Sequence, residues 1–306
     1  MSNTSSRRSA STNRPLIRLA WVALLLGGCS ATVGPVPISG SVPASLGVDP
    51  FYTKHVSASG VPILSSDRVS DEALVAARDM ARGMLAHRPD LARWLAANGW
   101  RMALIAEDEA LLDLPENAGW AKPGADDPRL TRCERIHYED RIGRFTPREY
   151  WNARARATGG KYMADGEEDV LGRPSSRYFG ETIFVHEFAH QILYAVEAVD
   201  PALYAEVEAS YAAALAQGLW KDEYGSTTVQ EYWAEGTQFW FNSNRLQVFD
   251  NRRILNDADL AAYDPRLHAA LAKVFGDDHR LASDPFYLRA ARVPPGPIPA
   301  NTAEQC

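Results

Sequence analysis

The chain predicts a mixed α+β domain, and three observations carry that expectation. Apolar residues recur at helical spacing in several separate stretches. Arg101 to Ala106 reads as a strand. The region between about 107 and 178 is broken by glycines, prolines and charges into loops with short strands. With 306 residues, 46% of them hydrophobic and 23% charged, there is enough apolar material for one large domain or two small ones. No internal repeat or coiled-coil heptad is visible.

The first element is not part of that domain. Arg7, Arg8, Arg14 and Arg18 precede an apolar run from Leu19 to Leu26, too short to cross a bilayer, which takes roughly 20 residues. The run ends in Leu26-Gly27-Gly28-Cys29, which resembles the lipobox of bacterial lipoproteins. That resemblance implies a signal peptide over 1–28 and a lipid on Cys29. It also implies an exported protein anchored to a membrane, with Ser30 favouring the outer membrane and a domain facing the periplasm or the cell surface. Residues 29–50, rich in Ser, Gly, Pro and Val, read as a flexible tether. The folded domain is expected over 51–292.

Within it, Ser70-Asp71-Glu72 opens a helix, with Ser70 as cap and the acids in the first turn, and Ala73, Ala77, Met80, Ala81 and Met84 continue it. Pro89-Asp90 starts a short second helix that Asn98-Gly99 ends. Further helices are expected over 180–198, 201–218, 229–243 and 265–275. The Pro-rich tail over 293–306 reads as extended.

The formal net charge is -7, and removing the four arginines of the first 28 residues takes it to -11. So acidic a chain is a poor non-specific binder of nucleic acid, and anionic lipid headgroups would repel it, which leaves an anchor as the means of membrane attachment. With Cys29 lipidated, Cys133 and Cys306 remain; the exported compartment permits a bridge between them or leaves two free thiols.

The chemistry concentrates in His186-Glu187-Phe188-Ala189-His190, an HExxH motif. Helix positions four apart lie about 40° apart around the axis, so His186 and His190 can hold one metal ion while Glu187 reaches a water on it. Histidine nitrogens suit Zn²⁺, and a catalytic zinc takes three protein ligands and keeps one position open. The flanking residues Ile183-Phe184-Val185 and Gln191-Ile192-Leu193 carry no charge or proline, as a buried active-site helix needs.

Three downstream acids compete for the third place: Asp222, Glu231 and Glu235. Leu193 and Val196 stand where the three-histidine HExxHxxGxxH pattern needs Gly and His. Asp222, before Tyr224-Gly225, is similar to the ligand of another zincin class, but Gly218 is followed by Leu219 rather than the Thr of that class. Glu231 and Glu235 share one helical face among Tyr232, Trp233, Phe239, Trp240 and Phe241, where unpartnered carboxylates are costly to bury.

The stretch 180–241 resembles the catalytic domain of the anthrax-lethal-factor-like metallopeptidases, which are gluzincins. The motifs that carry the resemblance are His186-Glu187-Phe188-Ala189-His190, Glu231-Tyr232-Trp233-Ala234-Glu235, and Tyr224 seven residues before Glu231. It implies a zincin-like fold, in which a small twisted sheet and the active-site helix pack over a mainly helical C-terminal part. It implies one zinc ion per chain on His186, His190 and Glu231, with Glu187 as general base, Tyr224 as oxyanion donor and Glu235 supporting a ligand histidine. The implied activity is hydrolysis of a protein or peptide substrate. Gly225 beside Tyr224 points to a loop that can adjust. The alternatives are a zinc-binding envelope lipoprotein without proteolytic activity, in which Glu187 and Tyr224 would have no purpose, and a metallohydrolase of a non-protein amide. His55, His87, His137, His268 and His279 lack partners at metal spacing and read as surface or packing residues.

Overall fold

The computed structural model describes residues 40–249 and 251–298. The expected signal peptide, the lipidation residue Cys29 and the end of the tail from 299 lie outside the described residues. The description begins inside the stretch expected to be a tether. Strand β1 (Gly40–Ser41) already pairs with the sheet, and Val42, Leu46 and Val48 pack against a satellite apolar cluster.

Strands β2 (Lys54–Ala58) and β3 (Val61–Ser65) form a hairpin. Its two-residue turn, Ser59-Gly60, has positive φ at both positions (51° and 95°), the backbone twist that matches paired strands. Helices α1 (Asp71–Leu85) and α2 (Pro89–Ala97) start as the caps predict: the Ser70 side chain accepts from the Ala73 amide, and Pro89 opens α2. They lead to β4 (Arg101–Ile105), parallel to β3, and a long excursion leads to β5 (Tyr162–Gly166), parallel to β4. The five strands stand in sequence order, with β5 at one edge.

The stretch 107–178 departs in part from expectation. Loops and one short strand, β5, are there, but it also holds two short helices, α3 (Arg132–Ile136) and α4 (Pro147–Arg154). Each opens with a reciprocal capping box, Thr131 with Glu134 and Thr146 with Glu149. They enclose a small cluster around Leu130, Ile142 and Tyr150. Cys133 on α3 is buried and disulfide-bonded, and its bonding partner lies outside the described residues.

After β5 and the short α5 (Glu167–Val170), α6 (Ile183–Val199) runs through the centre, with Phe184, Val185, Phe188, Ala189, Ile192 and Leu193 wholly buried. An apolar face on nearly every side marks a helix covered all round. It packs on α2 and β5 and, opposite, on α7 (Pro201–Ala216) and α8 (Val229–Trp240). The hairpin β6 (Gln247–Phe249) and β7 (Arg252–Ile254), α9 (Asp257–Tyr263) and α10 (Pro265–Phe275) complete the lower part. Of these, only α10 is foreseen from the sequence. The result is a mixed α+β fold with a small sheet and several helices. No helix among the described residues is long and apolar enough to cross a membrane.

A buried carboxyl stands at the start of α6. Asp284 Oδ1 accepts from the Thr182 hydroxyl at 2.5 Å and from the Phe286 amide at 2.8 Å, while Oδ2 has no partner. Burial pushes this carboxyl from 3.8 up to about 6, against its hydrogen bonds and Arg292. The folded chain therefore keeps a proton that the unfolded chain gives up, so stability falls as pH rises from about 4 through about 6. Asp284→Asn should match wild type in thermal or urea unfolding at pH 4 and exceed it at pH 7, by on the order of 3 kcal/mol. A constant difference between the two across that range would contradict the account.

Candidate metal centre and active site

Four elements converge on one point. Helix α6 supplies His186, Glu187 and His190 on its cleft-facing side, and α8 crosses it and supplies Glu231 and Glu235. Glu231 lies at the third position of α8, where its backbone amide is capped by the Thr228 hydroxyl at 3.1 Å. A 3₁₀ turn over Tyr224–Ser226 precedes it, and the hairpin loop before β5 covers α6.

His186 Nε2 stands 2.9 Å from Glu231 Oε2, and His190 Nε2 stands 3.5 Å from the same oxygen. One ligand atom from each of the three residues lies within 4.8 Å of the others, the one such grouping among the described residues. Zinc–ligand bonds of 2.0–2.2 Å in a tetrahedron put neighbouring donors roughly 3.3 Å apart. The observed separations bracket that figure, and the donor set is two imidazole nitrogens and one carboxylate oxygen. The residues therefore fit a zinc ion. Asp222 is exposed and outside the group, with φ of 62°. The five other histidines are outside it too; His268 and His279 both pack against Trp240, at 4.8 and 4.2 Å.

The electrostatics follow from putting these charges in a buried place. Burial opposes charge on His186, but the hydrogen bond and charge of Glu231, with Glu187 and Glu235, raise it to about 10. Burial and the neighbouring His186 charge lower His190 to about 4. Glu231 is held below the usual carboxylate range, because its contacts with His186 outweigh burial. Burial raises Glu187 to about 7, His186 drawing it down and Glu231 pushing it up. A carboxyl poised near neutrality suits proton transfer.

Tyr224 donates to Glu231 Oε1 at 3.1 Å, and its ring lies 6.3 Å from that of His186. Burial, then the charges of Glu231 and Glu187, keep its hydroxyl protonated well beyond the ordinary range. Gly225, expected to lend the loop freedom, has a different reason to be glycine: a Cβ there would come within 2.8 Å of the Trp220 ring. Trp220 is itself fixed, since its indole donates to Asp264 Oδ2 at 3.0 Å, and Tyr232 donates to the same oxygen at 2.6 Å.

Glu235 Oε1 lies 3.7 Å from His186 Nδ1, while its Oε2 accepts from Asn244 at 2.8 Å and Gln247 at 2.9 Å. The nearer partner of His186 Nδ1 is Gln238 Oε1, at 3.0 Å, a residue the sequence reading passed over. Gln191 was also missed. Its amide donates to the carbonyls of Gly160 and Arg101, at 2.8 and 3.0 Å, and so ties the loop before β5 to α6. That loop lies directly on the site: a Cβ at Gly159 would meet His190 Cδ2 at 2.8 Å and Glu187 Oε2 at 3.0 Å. Glycines in loops give no periodic signal, so only contact geometry reveals such a role. The site opens into a cavity of about 1350 Å³ whose lining includes Trp120, Tyr150, Trp151, Arg154, Pro294 and Ile298.

Gly159→Ala should push the loop off α6. Affinity for Zn²⁺, read by competition with a chelator, should fall by about tenfold or more because His190 is displaced, while the unfolding temperature changes by only a few degrees. Unchanged affinity would show that the close approach has no consequence.

No family model matches the chain, and no curated protein does. Among solved structures, the PRO-PRO endopeptidase from Paenibacillus alvei is similar over 70% of this chain and 96% of its own, with 16% identity and a TM-score of 0.40.

Proposed function

We propose that the chain is a zinc-dependent metallopeptidase of the gluzincin type with a zincin-like domain, acting on a protein or peptide. The observation that supports this best is the meeting of His186, His190 and Glu231 within 4.8 Å, with Glu187 and Tyr224 at the same point and a large cavity in front. His186, His190 and Glu231 would hold one zinc ion. Bound there, zinc supplies a Lewis acid that acidifies the attacking water and polarises the scissile carbonyl.

The chain's own groups do the rest. Glu187 takes the proton of the attacking water and passes it to the leaving amine. Tyr224, its hydroxyl held protonated, turns from Glu231 to donate to the oxyanion of the tetrahedral intermediate, an interaction worth roughly 3 kcal/mol. Glu235 lies 3.7 Å from His186 Nδ1, where its charge acts on the ring without a hydrogen bond to it. The aromatic wall of Trp120, Tyr150 and Trp151 offers apolar surface to substrate side chains. A protein that only bound metal would need neither Glu187 nor Tyr224.

Purified protein should contain one zinc ion per chain, and a peptide library should be cut only in the absence of chelator. Glu187→Gln should retain the metal and lose nearly all turnover. Glu231→Ala should lose the metal at ordinary concentrations, and Asp222→Ala should change little. Protein isolated without metal, or full turnover in Glu187→Gln, would end this reading.

We further propose that the domain is exported and carried on a membrane by lipid at Cys29, the support being the residue pattern up to Leu26-Gly27-Gly28-Cys29. One acyl chain binds only marginally, so stable attachment takes several. Cys29→Ala should move the protein out of the membrane fraction or leave it as an uncleaved precursor. A mature N-terminus found elsewhere by mass spectrometry would refute the anchor.

A further inference from the structure

We propose that Gln238 is the positioning residue that sets the tautomer and ring orientation of His186, so that Nε2 is the nitrogen offered to the metal. The inference rests on the metallopeptidase reading for what His186 is used for, but the geometry behind it is independent.

The amide of Gln238 is wholly buried and held at both ends. Its Nε2 lies 3.3 Å from the carbonyl oxygen of Thr182, which can only accept. The amide NH₂ must therefore point to Thr182, which turns Oε1 toward His186. Oε1 can only accept in its turn, so at 3.0 Å it requires a hydrogen on Nδ1. With that hydrogen in place, the free pair of the neutral ring is on Nε2, the atom that faces Glu231. A backbone carbonyl thus sets the amide, and the amide sets the imidazole.

The amide is also well placed to hold two helices in register. Thr182 precedes α6 and Gln238 lies near the end of α8; the Thr182 amide donates to Ser243 O at 2.9 Å, and the Ser243 amide and hydroxyl donate to Gln238 O at 2.9 and 3.1 Å. Glu235, the residue the sequence points to for this task, is beyond hydrogen-bond range of Nδ1 at 3.7 Å, and its other oxygen is drawn back by Asn244 and Gln247.

The test compares zinc affinity, by competition with a chelator, in wild type, Gln238→Met, Gln238→Glu and Glu235→Gln. Met keeps the shape and loses the acceptor; Glu keeps an acceptor. Gln238→Met should bind zinc about 10–100-fold more weakly, as losses of a ligand's outer partner do. Its cobalt-loaded form should show an altered visible spectrum. Gln238→Glu should recover most of the affinity, and Glu235→Gln should lose less than Gln238→Met. Affinity in Gln238→Met equal to wild type, or a larger loss in Glu235→Gln, would overturn the assignment.

A measurement on zinc-loaded wild type guards against misfolding of the variants. The His186 Nδ1 proton should be visible by nitrogen-15 NMR and exchange slowly with water; fast exchange, as in an exposed histidine, would overturn the proposal. Wild type that binds no zinc would instead sink the metallopeptidase reading, so the two failures are distinguishable.

Discussion

His186 and Glu231 are 45 residues apart in the chain, yet Nε2 of one and Oε2 of the other are 2.9 Å apart, and most of the molecule serves that separation. Each side chain is carried by a helix whose position is set by packing rather than by propensity. Helix α6 is covered on nearly all sides by apolar neighbours, which leaves it no freedom to rotate about its axis without exposing Phe184 or Phe188. Helix α8 carries Tyr232 and Trp233 into the core on the turn between its two glutamates, so the apolar anchor and the acidic face are fixed together. A one-residue rotation of either helix, about 100°, would separate the three donor atoms.

Collecting Glu187, Glu231, Glu235, His186 and His190 in one buried place is unfavourable unless their charges are matched. Among themselves these groups match their charges by holding a proton on His186, raised to about 10, at the expense of His190, lowered to about 4. A divalent cation between the three donors would take over the role of that extra proton. It would also return the His186 ring to the neutral form that a metal ligand requires, a form His190 already has. His186, His190 and Glu231 could hold such a cation, and the amide of Gln238 stands behind His186. A neutral acceptor fixes the ring by its hydrogen bond to Nδ1 and adds no further charge to a place that already holds three carboxyls.

Much of this was legible in the residues, and what was not has a physical reason. The four long helices α1, α6, α7 and α8 follow from apolar spacing and caps, the shared face of His186 and His190 follows from their spacing, and the preference for Glu231 over Glu235 and Asp222 comes from the family resemblance. The helices α3 and α4 were missed because their surfaces are mostly polar and their lengths short, so periodicity is silent. The capping boxes Thr131–Glu134 and Thr146–Glu149 were there to be read. The hairpin at Ser59-Gly60 escaped notice for a similar reason, since Ser-Gly marks a turn only once strands on both sides are recognised. Gln191, Gln238 and Gly159 belong to another class. Their roles depend on which carbonyl or ring lies within 3 Å of them, and no local pattern encodes that.

Those three residues show how the upper and lower parts of the domain are made to meet at the centre. Gln191 stands next to His190 and reaches up to the carbonyls of the β5 loop, while Gln238 reaches from α8 to the carbonyl that precedes α6. Both use a side-chain amide to satisfy backbone oxygens that helices and strands leave open at their ends. Both sit one contact away from a metal-type ligand. Gly159 completes the enclosure from above, close enough that hydrogen is the largest side chain the space admits. Rigid support of this kind is what a reacting centre needs. Donors must already be in place when charge develops, and a side chain free to swing would have to be ordered during each turnover.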